Sequence, residues 1–342
     1  MSEEMPALRW AIDTAATPGR WGDLWGDTHF ADSLARALRR LGQTVTVDRK
    51  DTRGRPDRRR DDVALTLRGI GTDRPAPSPV NLLWVISHPD EVTAEEARSY
   101  DATFAASKKW ALDKTAEWGL PVEPLLQCTD AQICDARHKG AAPAHPILFV
   151  GNARRSSSRP IVDWVGASAP AKLAIFGTGW EQTPHAASVQ AASLANAALG
   201  GYYASAGIVL NDHWDDMRRA GFVSNRLFDA VASGARVLSD PIAGADELFG
   251  RSVVSCDSLN AVREVVSVDP DTVWPSHDER VRAGEMIRSE HSFDRRAQVL
   301  LTHASSLLGA LSPDRRPALT NPARSVRPGH RWWRAAGTRP RR

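Results

Sequence analysis

The chain has 342 residues, of which 42% are hydrophobic and 25% are charged. These proportions are typical of soluble globular proteins, and the length suits two domains of ordinary size. No apolar run reaches the length of a transmembrane helix. The first residues, MSEEMPALRW, lack the basic and apolar regions of a secretory signal peptide. These features exclude an integral membrane protein, and we expect a cytoplasmic location.

Positive charge is concentrated at the end of the chain. The net charge is +3, but residues 312–342 contain nine arginines and one aspartate, which leaves a net charge of about −5 for residues 1–311. A nucleic-acid-binding domain would carry its positive charge on a folded face, so we expect no nucleic-acid partner. We expect residues 312–342 to form a basic, disordered tail.

Deleting residues 312–342 tests whether this tail contacts the inner face of a membrane. Its arginines and the Trp332-Trp333 pair suit the headgroup region of an anionic membrane; the alternative is a solvated tail without a partner. If the tail binds weakly to such a surface, the full-length chain should co-sediment with anionic vesicles and the truncated chain should not. Equal co-sedimentation of the two chains would contradict membrane contact.

The first half of the chain alternates strand-like and helix-like segments. Apolar or β-branched runs predict strands, and apolar residues at helical spacing predict helices. The predicted strands are 8–12, 44–47, 63–67, 81–87, 103–106 and 122–126, and the predicted helices are 29–41 and 107–118. The charged segment 49–62 contains no large apolar residue and is expected to be a mobile loop.

The polar, Ala- and Pro-rich segment 135–146 interrupts this pattern and marks a domain boundary. The sequence therefore predicts a first domain of residues 1–140 and a second domain of residues 141–311. The second domain continues with predicted strands at 147–150, 173–176, 208–210, 237–240 and 253–255. Its predicted helices are 160–167, 189–206, 225–233 and 279–308, the last with a break at 291–293.

Alternating strands and helices in both halves predict an α/β fold class with two Rossmann-like domains, each built on a parallel sheet covered by helices. Ligands of such sheets bind at the carboxyl ends of the strands. We therefore expect the two sheets to face a common cleft, lined by the loops that follow their strands.

The most informative segment is 207–250, in which a strand, a polar loop, a short helix and a second strand follow one another. Ser224 or Asn225 is placed to begin the helix. The N-terminal end of a helix favours phosphate, and the Arg226 guanidinium can bind phosphate through two parallel hydrogen bonds. Asp229, one turn later, can accept hydrogen bonds from sugar hydroxyls.

The pattern S-N-R-L-F-D-A-x-A-x-G, followed by V-L-S-D, resembles the nucleotide-sugar-binding half of GT-B glycosyltransferases, in particular their group 1-like and spore-maturation-protein-like branch. Segments 21–45, 125–130 and 291–297 resemble the acceptor-side domain, its exit and the closing helix of this family. The resemblance implies transfer of a sugar, such as a hexose, from a nucleotide-sugar donor to a hydroxyl acceptor. It further implies a reaction without metal or cofactor, in polysaccharide or glycoconjugate biosynthesis.

The resemblance also assigns a role to one carboxylate and leaves another unfilled. Asp229 occupies the place of a carboxylate that binds the donor ribose in relatives. Many members of the wider family have a second acidic residue eight positions upstream, where this chain has Gly221. The two-carboxylate pattern is not met, so neither a catalytic acid nor the stereochemical outcome is transferred to this chain.

Two loops that follow predicted strands of the second half are further candidates for donor binding. Backbone N–H groups and guanidinium groups of the first loop can bind a diphosphate, and a solvated surface loop is the alternative. In the second loop glycines permit close approach of a ligand and a tryptophan can stack on a base or sugar, although a tight turn explains them equally well. The candidates are Gly151, Asn152, Arg154 and Arg155 in the first loop, and Gly177 and Trp180 in the second.

The first half offers candidates for the acceptor side of the cleft. Asp27 or His29, in a Gly- and Trp-containing loop, can act as a general base toward an acceptor hydroxyl. The alternative is that Asp27 or Thr28 caps the next helix. His88 follows a predicted strand, and relatives often carry a cleft-lining histidine near this position; an exposed turn is the alternative.

Other chemistries lack their usual anchors. The three cysteines, Cys128, Cys134 and Cys256, are not in a Cys-x-x-Cys pair, so we expect reduced structural thiols. Asp269-Pro270-Asp271 formally matches a metal-binding Asp-x-Asp, but an ordinary turn is expected there. The P-loop and nucleophile-elbow patterns and zinc-ligand spacing are absent. We therefore expect no metal site.

Two other functions remain open at this point. One is a nucleotide-sugar epimerase on the same fold, which would need acid and base carboxylates on both sides of the sugar. The other is a non-catalytic nucleotide-sugar-binding protein descended from such enzymes, consistent with Gly221 in place of the second carboxylate. Product analysis with one nucleotide sugar and no acceptor separates the three functions.

Overall fold

The computed structural model describes residues 6–23, 25–71, 74–154 and 158–311, and only the backbone of Trp21. The predictions for Arg155 and for the tail 312–342 lie outside these residues. In the described chain, each half is built around a six-stranded parallel sheet. The α/β fold class with two parallel-sheet domains is therefore confirmed.

The first sheet has the strand order β2-β1-β3-β4-β5-β6. Its central strands β3 and β4 are buried along their whole length, as expected for the nearly continuous apolar runs of a parallel sheet covered on both faces. The strands are β1 (Arg9–Asp13), β2 (Thr44–Asp48), β3 (Val63–Arg68), β4 (Val80–Val85), β5 (Ala102–Ala105) and β6 (Val122–Pro124).

Four α-helices connect these strands. The main one buries an apolar stripe that includes Phe30, Leu34 and Leu38, whose spacing of four residues places them on one helical face. The helices are α1 (Arg20–Asp23), α2 (Gly26–Arg40), α3 (Ala94–Arg98) and α4 (Lys108–Trp118), with 3₁₀ turns at Pro56–Arg60 and Pro89–Glu91.

The second sheet has the strand order β12-β11-β10-β7-β8-β9. The strands are β7 (Ile147–Val150), β8 (Leu173–Phe176), β9 (Val189–Ala191), β10 (Ile208–Asn211), β11 (Val237–Ser239) and β12 (Val253–Ser255). The helices are α5 (Pro160–Ser168), α6 (Leu199–Ser205), α7 (Asp215–Ala220), α8 (Asn225–Ala232), α9 (Ala245–Phe249), α10 (Leu259–Ser267), α11 (Pro270–Val273), α12 (His277–Glu290) and α13 (Phe293–Ala310). Further 3₁₀ turns are Ala136–His138, Pro170–Lys172, Ala186–Ser188, Asn196–Ala198 and Gly250–Ser252.

The last helix, α13, belongs to the core of the first domain. Its apolar residues share a buried cluster with α2 and the first sheet, and the rings of Phe30 and Phe293 meet edge to face with centroids 4.7 Å apart. The chain thus returns to the first domain after α12, next to the segment where it first left: Thr129 and the 291–293 turn exchange backbone hydrogen bonds of 2.9 and 3.0 Å. The predicted second domain, 141–311, therefore extends too far, because periodicity does not reveal which sheet a helix covers.

Two predicted segments differ from the structure. The charged segment 49–62 is ordered, because Arg58 is buried between Asp13 and Asp48, with its Nη1 atom 2.7 Å from a carboxylate oxygen of Asp48. Segment 189–206 is not one helix: Val189 pairs with Ile175 at the edge of the second sheet, and only Leu199–Ser205 is helical. Its many alanines favoured the helical prediction, whereas the strand pairing is a long-range interaction.

No helix among the described residues is long and apolar enough to cross a membrane. The three cysteines are buried and free, as predicted.

Candidate functional site

A cleft of about 710 Å³ lies between the carboxyl ends of the two sheets. Loops after β3 and β4, together with the start of α2, line it from the first domain, and loops after β7, β8, β9 and β10 line it from the second. On the first-domain side the structure brings together Asp27, His29 and His88. This is the edge at which ligands of open parallel sheets bind.

The carboxyl group of Asp27 is the strongest acid–base candidate on the first-domain wall. Burial raises the pKa of Asp27, and the nearby charge of His88 opposes that shift. Burial also lowers the pKa of His29. Neither Asp27 nor Thr28 caps α2: the N-cap position is Trp25, and the Thr28 hydroxyl donates instead to the carbonyl oxygen of Gly22 at 2.6 Å. The capping alternative is therefore wrong.

His88 has a backbone φ of 52°, in the left-handed region that is strained for a residue with a side chain. Its ring packs at 5.4 Å from the ring of Trp214 and its Nδ1 atom lies 3.6 Å from a carboxylate oxygen of Asp216. Beside it, Asp90 pairs with Arg219 at 2.6 Å. The turn after β4 thus docks on α7 of the second domain and closes one end of the cleft; it is not an exposed turn.

The two glycine loops of the second domain pack on each other. A side chain on Gly177 would meet the carbonyl oxygen of Gly151 at 2.1 Å. Asn152 joins the same two loops, because its Oδ1 atom accepts hydrogen bonds from the backbone N–H of Thr178 at 2.9 Å and from its hydroxyl at 3.1 Å. Gly151, Asn152 and Gly177 all line the cleft.

Trp180 does not line the cleft, and the prediction that it stacks on a base or sugar is wrong. Its side chain is buried against Phe149, and its indole N–H donates to the carbonyl oxygen of Gly151 at 3.0 Å. In a sequence, a tryptophan in a loop is equally consistent with stacking on a ligand and with supporting the loop. Here it supports the loop that follows β7.

Three arginines lie in the second-domain wall, and two of them pair with one carboxylate. Arg154 and Arg159 pair with Asp212 at 3.0 and 2.6 Å, and Arg226 lies in the same wall. Burial lowers the pKa of Arg154 and lowers that of Arg159 to about 10, with Asp212 opposing both shifts. Asp212 pairs directly with two of these guanidinium groups, while Asp240 and Asp215 act on Arg154 without a direct ion pair. Closely spaced guanidinium groups suit a diphosphate.

Sequence reasoning missed Arg159, Asp212 and Trp214. The guanidinium of Arg154 stacks on the Trp214 ring at 4.1 Å, and its Nε–H has no hydrogen-bond partner although the side chain is buried. For Asp212 and Trp214, the only signal in the sequence was their position shortly after β10.

The residues at the start of α8 line the cleft as predicted. Many of their polar atoms form hydrogen bonds to other groups of the protein. Ser224 does not cap the helix with its side chain; its hydroxyl donates to Oδ1 of Asn211 at 2.7 Å. Arg226 donates to that same Oδ1 at 3.0 Å and to the carbonyl oxygen of Val150 at 2.9 Å. Asn225 donates to the carbonyl oxygen of Cys128 at 2.7 Å, which tethers α8 to the first crossover between the domains.

Asp229 lies at the base of the cleft and is largely buried. One of its carboxylate oxygens accepts a hydrogen bond of 2.7 Å from the hydroxyl of Thr129, a residue of the crossover. This contact differs from the surface ion pair that Arg226 and Asp229, three residues apart on one helix, could form. Burial raises the pKa of Asp229 to about 7, against the opposing hydrogen bonds from Thr129 and Cys134.

Asp229→Asn should increase the stability of the protein at neutral and alkaline pH. A carboxyl group with a higher pKa in the folded chain stabilises the fold at low pH, and this contribution is lost as pH rises from about 4 in the unfolded chain to about 7 in the folded one. The asparagine is uncharged, and its oxygen can still accept from Thr129. The melting temperature of the variant minus that of the parent should therefore rise across this pH range; a constant difference would contradict the raised pKa.

His213 is held in one tautomer by its neighbours. The backbone N–H of Ser224 points at Nε2 at 3.1 Å, so Nε2 must accept, and Nδ1 therefore carries the proton that is donated to Asp240 at 2.7 Å. Burial works to raise the pKa of Asp240, but the hydrogen bonds from His213 outweigh it and keep that pKa below its usual range. A neutral His213 thus fixes the turn from which α8 begins.

His213→Phe should lower the free energy of unfolding by about 1–3 kcal/mol, because Asp240 and the Ser224 N–H would lose their buried partner. Denaturant unfolding measures this loss. His303→Phe is the matched control, since His303 pairs with Glu123 at a partly exposed site. In the parent, nitrogen chemical shifts should report protonated Nδ1 and unprotonated Nε2; the opposite tautomer would contradict the assignment.

Within the described residues, no group of three His, Cys, Asp or Glu side chains is placed to hold a metal ion. Asp269-Pro270-Asp271 begins the short helix α11, where Asp269 accepts from the backbone N–H of Asp271 at 3.0 Å, and Asp271 pairs with Arg236. It is a capping turn, as expected.

Residues 154–302 match the family model described as "Glycosyl transferase-like". No curated protein sequence matches the chain significantly.

Several solved structures share the fold. AviGT4, a glycosyltransferase involved in avilamycin A biosynthesis, is 17% identical with a TM-score of 0.56, covering 89% of this chain and 99% of its own. An alpha-glucosyltransferase in complex with UDP and DNA is 12% identical with a TM-score of 0.56, covering 88% and 100%. HepE from Anabaena, in complex with UDP-glucose, is 10% identical with a TM-score of 0.52, covering 89% and 100%. The predicted GT-B arrangement is confirmed.

Proposed function

We propose that the chain is a GT-B glycosyltransferase of the group 1-like branch, which moves a sugar from a nucleoside diphosphate donor on the second-domain wall of the cleft to a hydroxyl acceptor on the first-domain wall. The observation that carries this proposal is the cluster of Arg154, Arg159 and Arg226 in the second-domain wall of the cleft, in which Arg154 and Arg159 pair with Asp212. The epimerase and binding-protein alternatives have no comparable support.

The arginine cluster stabilises the leaving group. When the bond between the anomeric carbon and the phosphate oxygen breaks, negative charge develops on the diphosphate, and fixed guanidinium groups stabilise that charge without a metal ion. The guanidinium of Arg154 stacks on Trp214 in the cleft wall, where its charge can act on such a ligand. The donor ribose is assigned to Asp229, at the base of the same wall.

Asp27 is assigned as the general base. As the acceptor oxygen bonds to the anomeric carbon, its proton must leave, and a carboxylate whose pKa is raised toward neutrality accepts it more readily than an ordinary aspartate. Asp27 meets this condition because burial raises its pKa. His29 is the second candidate, and His88 positions the turn that closes the cleft.

Nucleoside diphosphate release from a panel of nucleotide sugars tests the proposal, with UDP-glucose as the first donor because HepE was solved with it. We expect slow donor hydrolysis without acceptor and faster release once a suitable acceptor is added. Epimerised sugar without acceptor would indicate the epimerase, and binding without turnover under any condition would indicate a non-catalytic protein.

A further inference from the structure

The two walls of the cleft differ in charge. The second-domain wall contains Arg154, Arg159 and Arg226, whereas none of the described lining residues of the first domain is a lysine or arginine. The first-domain wall instead carries the carboxyl groups of Asp27 and Asp130. An acceptor with a phosphate or carboxylate near its hydroxyl would face these groups with no lysine or arginine among the described residues of this wall, which disfavours it electrostatically.

The carboxyl group of Asp130 is already neutralised. It pairs with Arg36 at 2.7 Å, and Arg36 also donates to the hydroxyl of Ser33 at 2.8 Å. Asp27 is the carboxyl group left for a substrate, and a cationic acceptor would hold it in an ion pair and lower its pKa. A base that must take a proton from a hydroxyl is weakened by such a partner.

Two apolar side chains line the first-domain wall of the cleft together with Asp27. Gly69 lies so close to Asp27 that a side chain on it would meet Oδ2 at 2.8 Å, and Ile70 is the next residue in the chain. Ile70 is 51% exposed and lines the cleft. Trp25, two residues before Asp27, lines it as well. A tryptophan and an exposed isoleucine favour a flat or branched apolar surface on the ligand.

From these observations we infer that the acceptor is an uncharged hydroxyl compound with an apolar face, which packs on Trp25 and Ile70 and presents its hydroxyl to Asp27. This inference rests on the proposed function. We therefore expect phosphorylated sugars and other anionic acceptors to be poor substrates. Ring or alkyl portions of the acceptor lie on the first-domain wall, away from the arginines that hold the donor.

Two probes with the same sugar test this inference. p-Nitrophenyl β-D-glucopyranoside is uncharged and has an apolar ring, whereas glucose 6-phosphate is anionic and has none. Binding is measured by ligand-observed NMR with UDP-saturated protein, so that UDP occupies the arginine cluster and cannot be replaced by the sugar phosphate. We expect the aryl glucoside to bind at least about tenfold more tightly, a difference of about 1.4 kcal/mol.

Ile70→Glu adds a charge to the apolar patch and should weaken binding of the aryl glucoside about tenfold. Leu112→Glu is the matched control, because Leu112 is 71% exposed on α4 and does not line the cleft. Equal effects of the two variants, tighter binding of glucose 6-phosphate, or no binding of the aryl glucoside would each overturn the inference. The affinity of the parent protein for UDP is measured first. A failure to bind UDP would contradict the proposed donor site and not the acceptor inference.

Discussion

Replacing Asp27 with asparagine should lower the rate of sugar transfer by about a hundredfold or more, the usual contribution of a general base, and leave UDP affinity unchanged. Asparagine preserves the size of the side chain but cannot accept the acceptor proton. Asp27 lies on the first-domain wall, away from the arginine cluster, so donor binding should not change. Steady-state rates and calorimetric UDP titrations measure the two effects separately.

The pH dependence of the parent provides a second readout of Asp27. Only the ionised carboxylate accepts a proton, and burial raises its pKa, so activity should fall as pH decreases through a value above the ordinary range of aspartate. Asp32→Asn is the matched control, because Asp32 lies on the same helix but does not line the cleft. A full rate in Asp27→Asn would remove Asp27 from the mechanism.

Arg226→Ala should weaken UDP binding by about ten- to a hundredfold, since a hydrogen bond to a charged group contributes about 1.5–3 kcal/mol. Binding of uridine, which lacks phosphate, should be nearly unchanged. Arg226 also donates to Asn211 and to the carbonyl oxygen of Val150, so the variant must first be shown to melt as a folded protein. Arg154→Ala should have a similar effect on UDP.

Arg282→Ala is the control for both variants, because Arg282 is exposed on α12 and outside the cleft. Asp229→Ala should behave differently from the arginine variants. It should weaken UDP and uridine alike, because the carboxyl group is assigned to the ribose. If neither arginine variant changes the preference for UDP over uridine, the cluster does not bind the diphosphate.

Apart from β9, the strands and the start of α8 were accessible from sequence because their signals are local. Buried parallel strands read as apolar runs, and β8 was predicted with the bounds that the structure has. The run from Ser224 to Asp229 combined a helix start, an arginine and a carboxylate within six residues, and all four predicted residues line the cleft. Local pattern and three-dimensional position agree in such segments.

The remaining parts of the site depend on distant contacts. Asp229 meets Thr129, which is 100 residues away in sequence, and Asp212 meets an arginine 53 residues away. A lone aspartate after a strand carries no pattern that distinguishes it from a turn residue. The same limit applies to α13, whose apolar stripe fits either sheet, and to Trp180, whose ring fits either a ligand or a loop.

A thermal-shift panel of UDP, GDP, ADP and TDP tests directly whether the cleft binds a nucleoside diphosphate. At a concentration of about 100 times its dissociation constant, a ligand of the folded protein adds about 2.7 kcal/mol to its stability. We expect at least one diphosphate to raise the melting temperature, its nucleoside to raise it less at the same concentration, and the additional shift of the diphosphate to disappear when Arg154 and Arg226 are both replaced by alanine. No shift with any diphosphate, or an additional shift that survives the double replacement, would contradict this expectation.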